Sequence, residues 1–362
     1  MMLFLIIVYG LLSIVEGLLN VFFLARFKPV KAIIEDKLPN VSILVCARNE
    51  EHNLRGCLTS VLASDYPMQL VEILVGNDDS EDGTAQIITQ FESEYEPVRA
   101  VDIQHQKDGL IAKGNVLSQL IDSSRYDYQI IIDADMEVSP KWLQTMVSAL
   151  HCGYDMVSGF TQVKKTNWIS RLQYIDWQTV LHSMKTMADL IRPISILGNN
   201  MAFNKNAYDQ VGGFRGLGPT DVEDLGLLQR FQNRCFKTFQ LVDGKGVAYT
   251  KPQLTFKELL TQRCRWMNGV FTHHLILGIP AFFARLWVVL GLIAFSVQIE
   301  LGCFILAYGI FFSWLKCWLM SQKIASKGLI FLVEPIIISL LDTLALLRLI
   351  FVGKVSWKGR KY

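Results

Sequence analysis
The sequence predicts an α/β domain, a mostly parallel sheet covered by helices, held between apolar segments at its two ends. Three observations carry this. Apolar residues concentrate in the first 24 positions and again after about Ala281, leaving a middle of soluble-enzyme composition. Through that middle, short β-type runs alternate with stretches of helical periodicity, the pattern of a parallel sheet with helical crossovers. Acidic clusters fall where the β-type runs end, which is where open α/β sheets bind ligands. The implied domains are 1–25, one spanning helix; 26–280, the α/β domain; 281–352, two or three spanning segments; and 353–362, a basic tail.

Leu3 to Leu24 is apolar apart from Glu16 and Asn20. At about 1.5 Å per residue it covers the roughly 30 Å hydrocarbon core. A secretory leader would open with a basic stretch and close on small residues, and neither is present. Arg26, Lys28 and Lys31 follow the span, placing the polar middle on the cytoplasmic face. Val41–Cys46 reads as a buried strand, 53–63 as a helix, Val71–Val75 as a strand, 84–91 as a helix and 98–103 as a strand. A helix over 114–121 then leads into the apolar strand Gln129–Ile132. The segments 168–191 and 257–283 have amphipathic helical spacing and read either as interfacial or as core-facing helices.

Beyond Ala281 come apolar runs of about 285–301, 302–320 and 329–351, the first two joined tightly near Gln298-Ile299-Glu300. Lys316, Lys323 and Lys327 are expected to return that hairpin to the cytoplasm. The last run holds Glu334, Asp342 and Arg348 and ends in Lys354, Lys358, Arg360 and Lys361, so its crossing is left open. A net charge of +2 points to no nucleic-acid surface. Seven cysteines without a Cys-x-x-Cys pair suit a reducing compartment and no zinc site. Ala47-Arg48-Asn49-Glu50-Glu51 stands where a dinucleotide fold has its glycines, which excludes that ligand class.

The middle carries a spaced set of polar motifs: Asn77-Asp78-Asp79-Ser80-Glu81-Asp82-Gly83-Thr84, Asp133-Ala134-Asp135, Glu223-Asp224 and Gln262-Arg263-Cys264-Arg265-Trp266. Two aspartates one residue apart at a strand end offer oxygens to a hard cation and a sugar hydroxyl; the alternative is a turn with solvated aspartates. Adjacent acids at 223 and 224 suit a base that takes a hydroxyl proton, or else an acid-rich helix start. On a helix, Gln262, Arg265 and Trp266 share a face. Arg265 suits a diphosphate and Trp266 offers a flat surface to an acceptor, or the pair anchors a helix at a membrane edge. Gly213–Gly218 is read as a mobile loop, Ser80 as a possible helix cap, and His273 and His274 as structural. Glu16 and Glu300 are functional suspects because they lie within apolar runs.

In this order the motifs resemble membrane-bound family-2 glycosyltransferases, which include cellulose, chitin and hyaluronan synthases and ceramide glucosyltransferase. The resemblance runs from about Val41 to Trp266. It implies a GT-A-type fold, a nucleotide-sugar donor (first a uridine diphosphate sugar), a divalent metal (Mg or Mn) and inversion at the anomeric carbon. It implies donor contacts at Ala47, Arg48, Glu50, Asp78, Lys113, Asp133, Gln262 and Arg265, and a metal ligand at Asp135. Asp224 is implied as base with Glu223 beside it, and Asn199, Asn200 and Trp266 as acceptor contacts. The bland alternative for Lys113 is a surface lysine at a helix start. Two departures stand out: Asn77 replaces the family's first aspartate, and Val222 replaces the threonine of processive synthases. The tail Val355–Tyr362 resembles the ending of ceramide-glucosyltransferase-like enzymes. Together with few spans it favours single addition to a membrane lipid acceptor at the lipid bilayer. A processive polysaccharide synthase is the alternative, and a non-catalytic membrane binding protein the third reading.

Overall fold
The structure, a computed structural model, describes residues 2–31, 38–220, 223–273, 283–324, 333–352, 356–357 and 360–361. It divides into two compact units: Phe27–Gln162 with Met187–Lys251, and Met1–Arg26 with Val163–Thr186 and Pro252–Tyr362. In chain order the first elements are α1 (Met2–Arg26), β1 (Val41–Ala47), α2 (Leu54–Leu62), β2 (Val71–Asn77), α3 (Thr84–Glu94), β3 (Val98–Val101) and α4 (Ala112–Ser123). Then come β4 (Tyr128–Asp133), β5 (Met136–Val138), α5 (Trp142–His151), β6 (Met156–Ser158), β7 (Phe160–Val163) and α6 (Trp168–Leu190). They are followed by β8 (Asn200–Asn204), α7 (Lys205–Gln210), α8 (Gly213–Leu217), α9 (Glu223–Asn233), β9 (Thr238–Gln240), β10 (Val247–Thr250) and α10 (Phe256–His273). The last helices are α11 (Trp287–Phe295), α12 (Ile299–Ile324) and α13 (Val333–Val352).

The unit of residues 27–162 and 187–251 is built on a seven-stranded sheet in the order β3-β2-β1-β4-β8-β6-β9. β1 pairs in parallel with both β2 and β4, and β2 with β3, whereas β8 runs antiparallel to β4. β1 is buried on both faces, as a central parallel strand must be, and reads as a nearly continuous apolar run. Its polar member, Ser42, donates its hydroxyl to Glu72 Oε1 at 2.6 Å. On one face Leu44, Leu74, Ile131 and Phe203 of the sheet pack with Leu117 and Leu120 of α4 and Phe231 of α9. A Cβ on Gly76 would meet Val116 Cγ1 at 2.6 Å, so glycine there lets α4 lie close on β2. A second sheet, β5-β10-β7, has strands of three or four residues, too short for any period to show in the sequence. Gly213–Leu217, expected to be a mobile loop, is a short helix pinned by the buried Phe214, whose N–H donates to Tyr208 Oη at 2.9 Å.

In the other unit, two helices among the described residues are long and apolar enough to cross a bilayer: α1 and α12, with mean hydropathies of 2.4 and 1.6. Tyr9 meets Tyr308 at 5.2 Å between ring centroids, and Glu16 pairs with Lys316 Nζ at 2.6 Å. These contacts set α1 and α12 side by side and parallel, with Arg26 and Lys323 at the same end. Lys316 thus gives Glu16 an opposite charge between the two helices. Leu3, Ile7, Leu11, Ile14, Leu18 and Val21 leave an exposed apolar stripe at helical spacing along α1. The run at 285–301 forms only the nine-residue α11, about 14 Å long at 1.5 Å per residue and too short to cross alone. Ser296–Gln298 turns it into α12, where Glu300 is exposed in the first turn, at the end of the helix that favours an acid. Val222, His274, Lys327, Lys354 and Lys358 lie outside the described residues.

Candidate functional site
The register of the parallel strands lines up three strand ends. Ala47 stands opposite Asn77, and Cys46 opposite Asp133. The Asp78 N–H donates to Ala47 O at 2.8 Å, and Arg48 Nη1 lies 3.6 Å from Asp78 Oδ2. Beyond the strands the two loops zip together. Asn49 N–H donates to Ser80 Oγ, Glu50 N–H to Thr84 Oγ1, Glu51 N–H to Asp82 Oδ2, and Gly83 N–H to Glu51 Oε2. Ser80 thus receives a loop amide; Asp82, not Ser80, satisfies the start of α3, accepting from Thr84 N–H at 3.0 Å. Asn49 and Asp79 take the left-handed backbone (φ 53° and 55°), which Asn and Asp tolerate better than most residues. The sequence reading named Arg48, Glu50 and Asp78 as candidates but not the zipper that holds them.

Lys113, one residue into α4, is the hub. Its Nζ reaches Asp133 Oδ1 at 2.5 Å and Gly198 O at 2.9 Å, so it is not a solvated lysine at a helix start. The N–H of that same Gly198 donates to Asp224 Oδ2 at 3.0 Å, and Leu225 N–H holds Asp224 Oδ1 at 2.7 Å. A Cβ on Gly198 would fall 2.5 Å from Asp224 Oδ2, so only glycine admits the carboxylate here. Burial opposes charge on Lys113, but the Asp133 and Glu223 carboxylates outweigh it and hold the ammonium more firmly protonated than usual. Burial pushes Glu223 up to about 7, Lys113 partly offsets this, and the Asp224 charge adds to it. Asp224 is raised as well, by burial, against the pull of Lys113 and its two backbone donors. Glu223 also borders a small cleft walled by Leu110, Ile111, Phe214 and Leu217.

Asp133 and Asp135 flank a tight turn between β4 and β5. Burial raises the Cys57 thiol pKa, and the charges of Asp135, Asp133, Glu137 and Glu50 raise it further. Cys57 Sγ lies 3.6 Å from Asp133 O, at that turn. No three acidic, histidine or cysteine side chains form a closed cage among the described residues. A magnesium or manganese ion that keeps phosphate and water ligands needs only one or two carboxylates, so the carboxylate oxygens of Asp135 suit such an ion. Asn199 sits beside the hub, its carbonyl accepting from Asp133 N–H at 3.1 Å. Asn200 does not: it is fully buried, with Oδ1 accepting from Trp142 Nε1 at 3.0 Å and Nδ2 donating to Thr161 at 3.3 Å. Those bonds use its side chain inside the sheet and make it a packing residue.

Gln262, Arg265 and Trp266 belong to the other unit, on α10, where all three are half-buried. Trp266 lies against Trp177 of α6, ring centroids 5.4 Å apart. Arg263, between the motif's named positions, is buried in a ring of four charges. It pairs with Asp176 at 2.6 Å and Asp342 at 2.5 Å, and Arg285 pairs with the same aspartates at 3.0 and 2.8 Å. The sequence reading missed this ring. Its one visible sign was Asp342, a charge within an apolar run.

Compared with known proteins, the profile of glycosyl transferase family 21 matches residues 4–362. A poly-β-1,6-N-acetyl-D-glucosamine synthase of Staphylococcus epidermidis is 24% identical over 68% of this chain and 60% of its own length. A β-monoglucosyldiacylglycerol synthase of Nostoc is 26% identical over 69% of this chain and 53% of its own. The chain thus spans a little over half the length of these relatives. A mannosyltransferase of Pyrobaculum calidifontis, solved with GDP-Man and Mn2+, aligns over 96% of this chain and 99% of its own, with 15% identity and a TM-score of 0.58. The shared fold is of GT-A type.

Proposed function
The chain belongs to glycosyl transferase family 21, and from that membership we propose that it moves one sugar from a nucleotide sugar onto a membrane lipid, with inversion. The observation that carries the reading is Gly198, whose carbonyl holds Lys113 and whose N–H holds Asp224. One backbone unit thereby ties the cation suited to a donor diphosphate to the carboxylate suited to take a proton. Arg48 and Asp78 serve the nucleoside side. Lys113 counters the charge that grows on the diphosphate as it leaves. A divalent cation at Asp135 would supply further positive charge to the same group. The acceptor hydroxyl gives its proton to Asp224. Its oxygen bonds to the anomeric carbon while the bond to the diphosphate breaks, and the diphosphate departs with the electron pair. Glu223 stands beside the base, and its charge tunes the proton affinity of Asp224.

A lipid acceptor is supported by exposed apolar side chains where α6 and α10 begin. Trp168 (58% exposed) and Phe256 (41% exposed) meet edge to face at 5.1 Å, with Leu254 exposed nearby. Aromatic pairs of this kind suit a membrane–water boundary. Arg26, Lys28 and Lys31 favour the cytoplasmic face for the α/β domain. The relative named as a polysaccharide synthase favours the processive reading instead. Membranes holding the enzyme, given a panel of labelled sugar nucleotides, decide between them. One extractable product, heavier than its lipid by one sugar at every reaction time, is expected. A ladder of masses or label in insoluble polymer would establish processive synthesis.

A further inference from the structure
We propose that Trp177 is a positioning residue for the acceptor step, holding the indole of Trp266 in the plane it presents to the acceptor. The inference rests on the reading of Trp266 as an acceptor contact. Asp176 and Trp177 are consecutive on α6, and Arg263 and Trp266 lie about one turn apart on α10. Both pairs are in contact: Asp176 Oδ2 with Arg263 Nη2 at 2.6 Å, and the two indoles at 5.4 Å with a 41° interplanar angle. The buried charge pair fixes the axial register of the two helices. Arg263 is held on both sides by carboxylates, so α10 cannot turn or slide without breaking the ring. Given that register, Trp177 blocks one side of the Trp266 ring and removes its freedom to swing. Both indoles are only half-buried. An aromatic wall that is already in place loses less freedom when an acceptor arrives, and this lowers the acceptor concentration needed.

The test uses the full-length enzyme in detergent and, as acceptor probe, total lipid from the membranes that hold the wild-type enzyme, dispersed in micelles at graded amounts. Thermal midpoint, donor KM and acceptor KM are read for Trp266→Ala, Trp177→Ala and Trp177→Phe. Trp177→Ala should raise the acceptor KM by roughly twofold to tenfold, the effect of one aromatic pair, with donor KM and thermal midpoint close to wild type. Trp177→Phe, which keeps a ring against Trp266, should recover most of that loss. If Trp266→Ala leaves the acceptor KM unchanged, the acceptor reading of Trp266 fails, and this inference with it. A raised acceptor KM in Trp266→Ala but not in Trp177→Ala leaves that reading standing and overturns the role of Trp177. A joint loss of thermal midpoint and of both affinities in Trp177→Ala also overturns it, assigning Trp177 to the fold.

Discussion

Two of the charged clusters among the described residues are built on opposite plans. In the helical unit, two arginines and two aspartates close a ring in which every charge has two partners of opposite sign and both aspartates are buried. At the strand ends of the α/β unit, Lys113 faces Asp133, Glu223 and Asp224, and its field reaches all three carboxylates. A ring whose charges balance one another has little left to offer a ligand; it fixes where helices lie. A cluster short of positive charge and partly open to solvent stays receptive to a cation, a proton or a phosphate-bearing substrate with its metal. Charge balance, more than the number of charges, separates the structural site from the chemical one.

The ring gives the largest expected effect on stability. Asp342→Asn leaves the buried Arg263 and the half-buried Arg285 each short of a partner, and should lower stability by about 3–5 kcal/mol, read as a fall in thermal midpoint in detergent. Removing one acid and one base together, Asp342→Leu with Arg285→Met, leaves the Arg263–Asp176 pair balanced and should recover most of that loss. A double variant as unstable as the single would break the comparison. Lys113→Met should act mainly on function, weakening donor binding about 10- to 100-fold through loss of a charge-assisted contact. Unchanged donor affinity, measured by calorimetry, would remove Lys113 from the site.

The smallest effect is a pH dependence. Glu223 is raised to about 7, so the folded protein holds its proton more tightly than the unfolded chain does. Its share of stability is complete below the ordinary glutamate value and is lost as pH climbs through about 7. Glu223→Gln should therefore flatten the fall in thermal midpoint between pH 5 and 8, and an unaltered slope would show that Glu223 does not titrate there.

Much of this was legible in the sequence, and the losses have physical causes. Val41–Cys46 and Gln129–Ile132 announce themselves because a strand buried on both faces has to be apolar throughout. β5, β7 and β10 are too short to show a pattern. Lys113 is legible as a motif, but its partner Gly198 acts through backbone atoms, which leave no residue-type signature. Asn200 was misjudged because a polar residue in a motif looks functional, and only the structure shows Trp142 and Thr161 using its side chain. The charge ring joins positions 79 and 87 residues apart in sequence, a separation at which pattern carries no information. Arg263 thus received no role of its own in the sequence reading.

The central claim is that the open cluster performs the chemistry, with Asp224 as the base. Its most direct test is donor binding and sugar transfer measured side by side in Asp224→Asn. This change keeps the shape of the side chain and one of its two backbone contacts, at Gly198 or Leu225, because the new amide nitrogen cannot accept, while removing the proton acceptor. Transfer should fall by about 10²- to 10⁴-fold with donor affinity near wild type. Near-wild-type turnover in that variant would contradict the account.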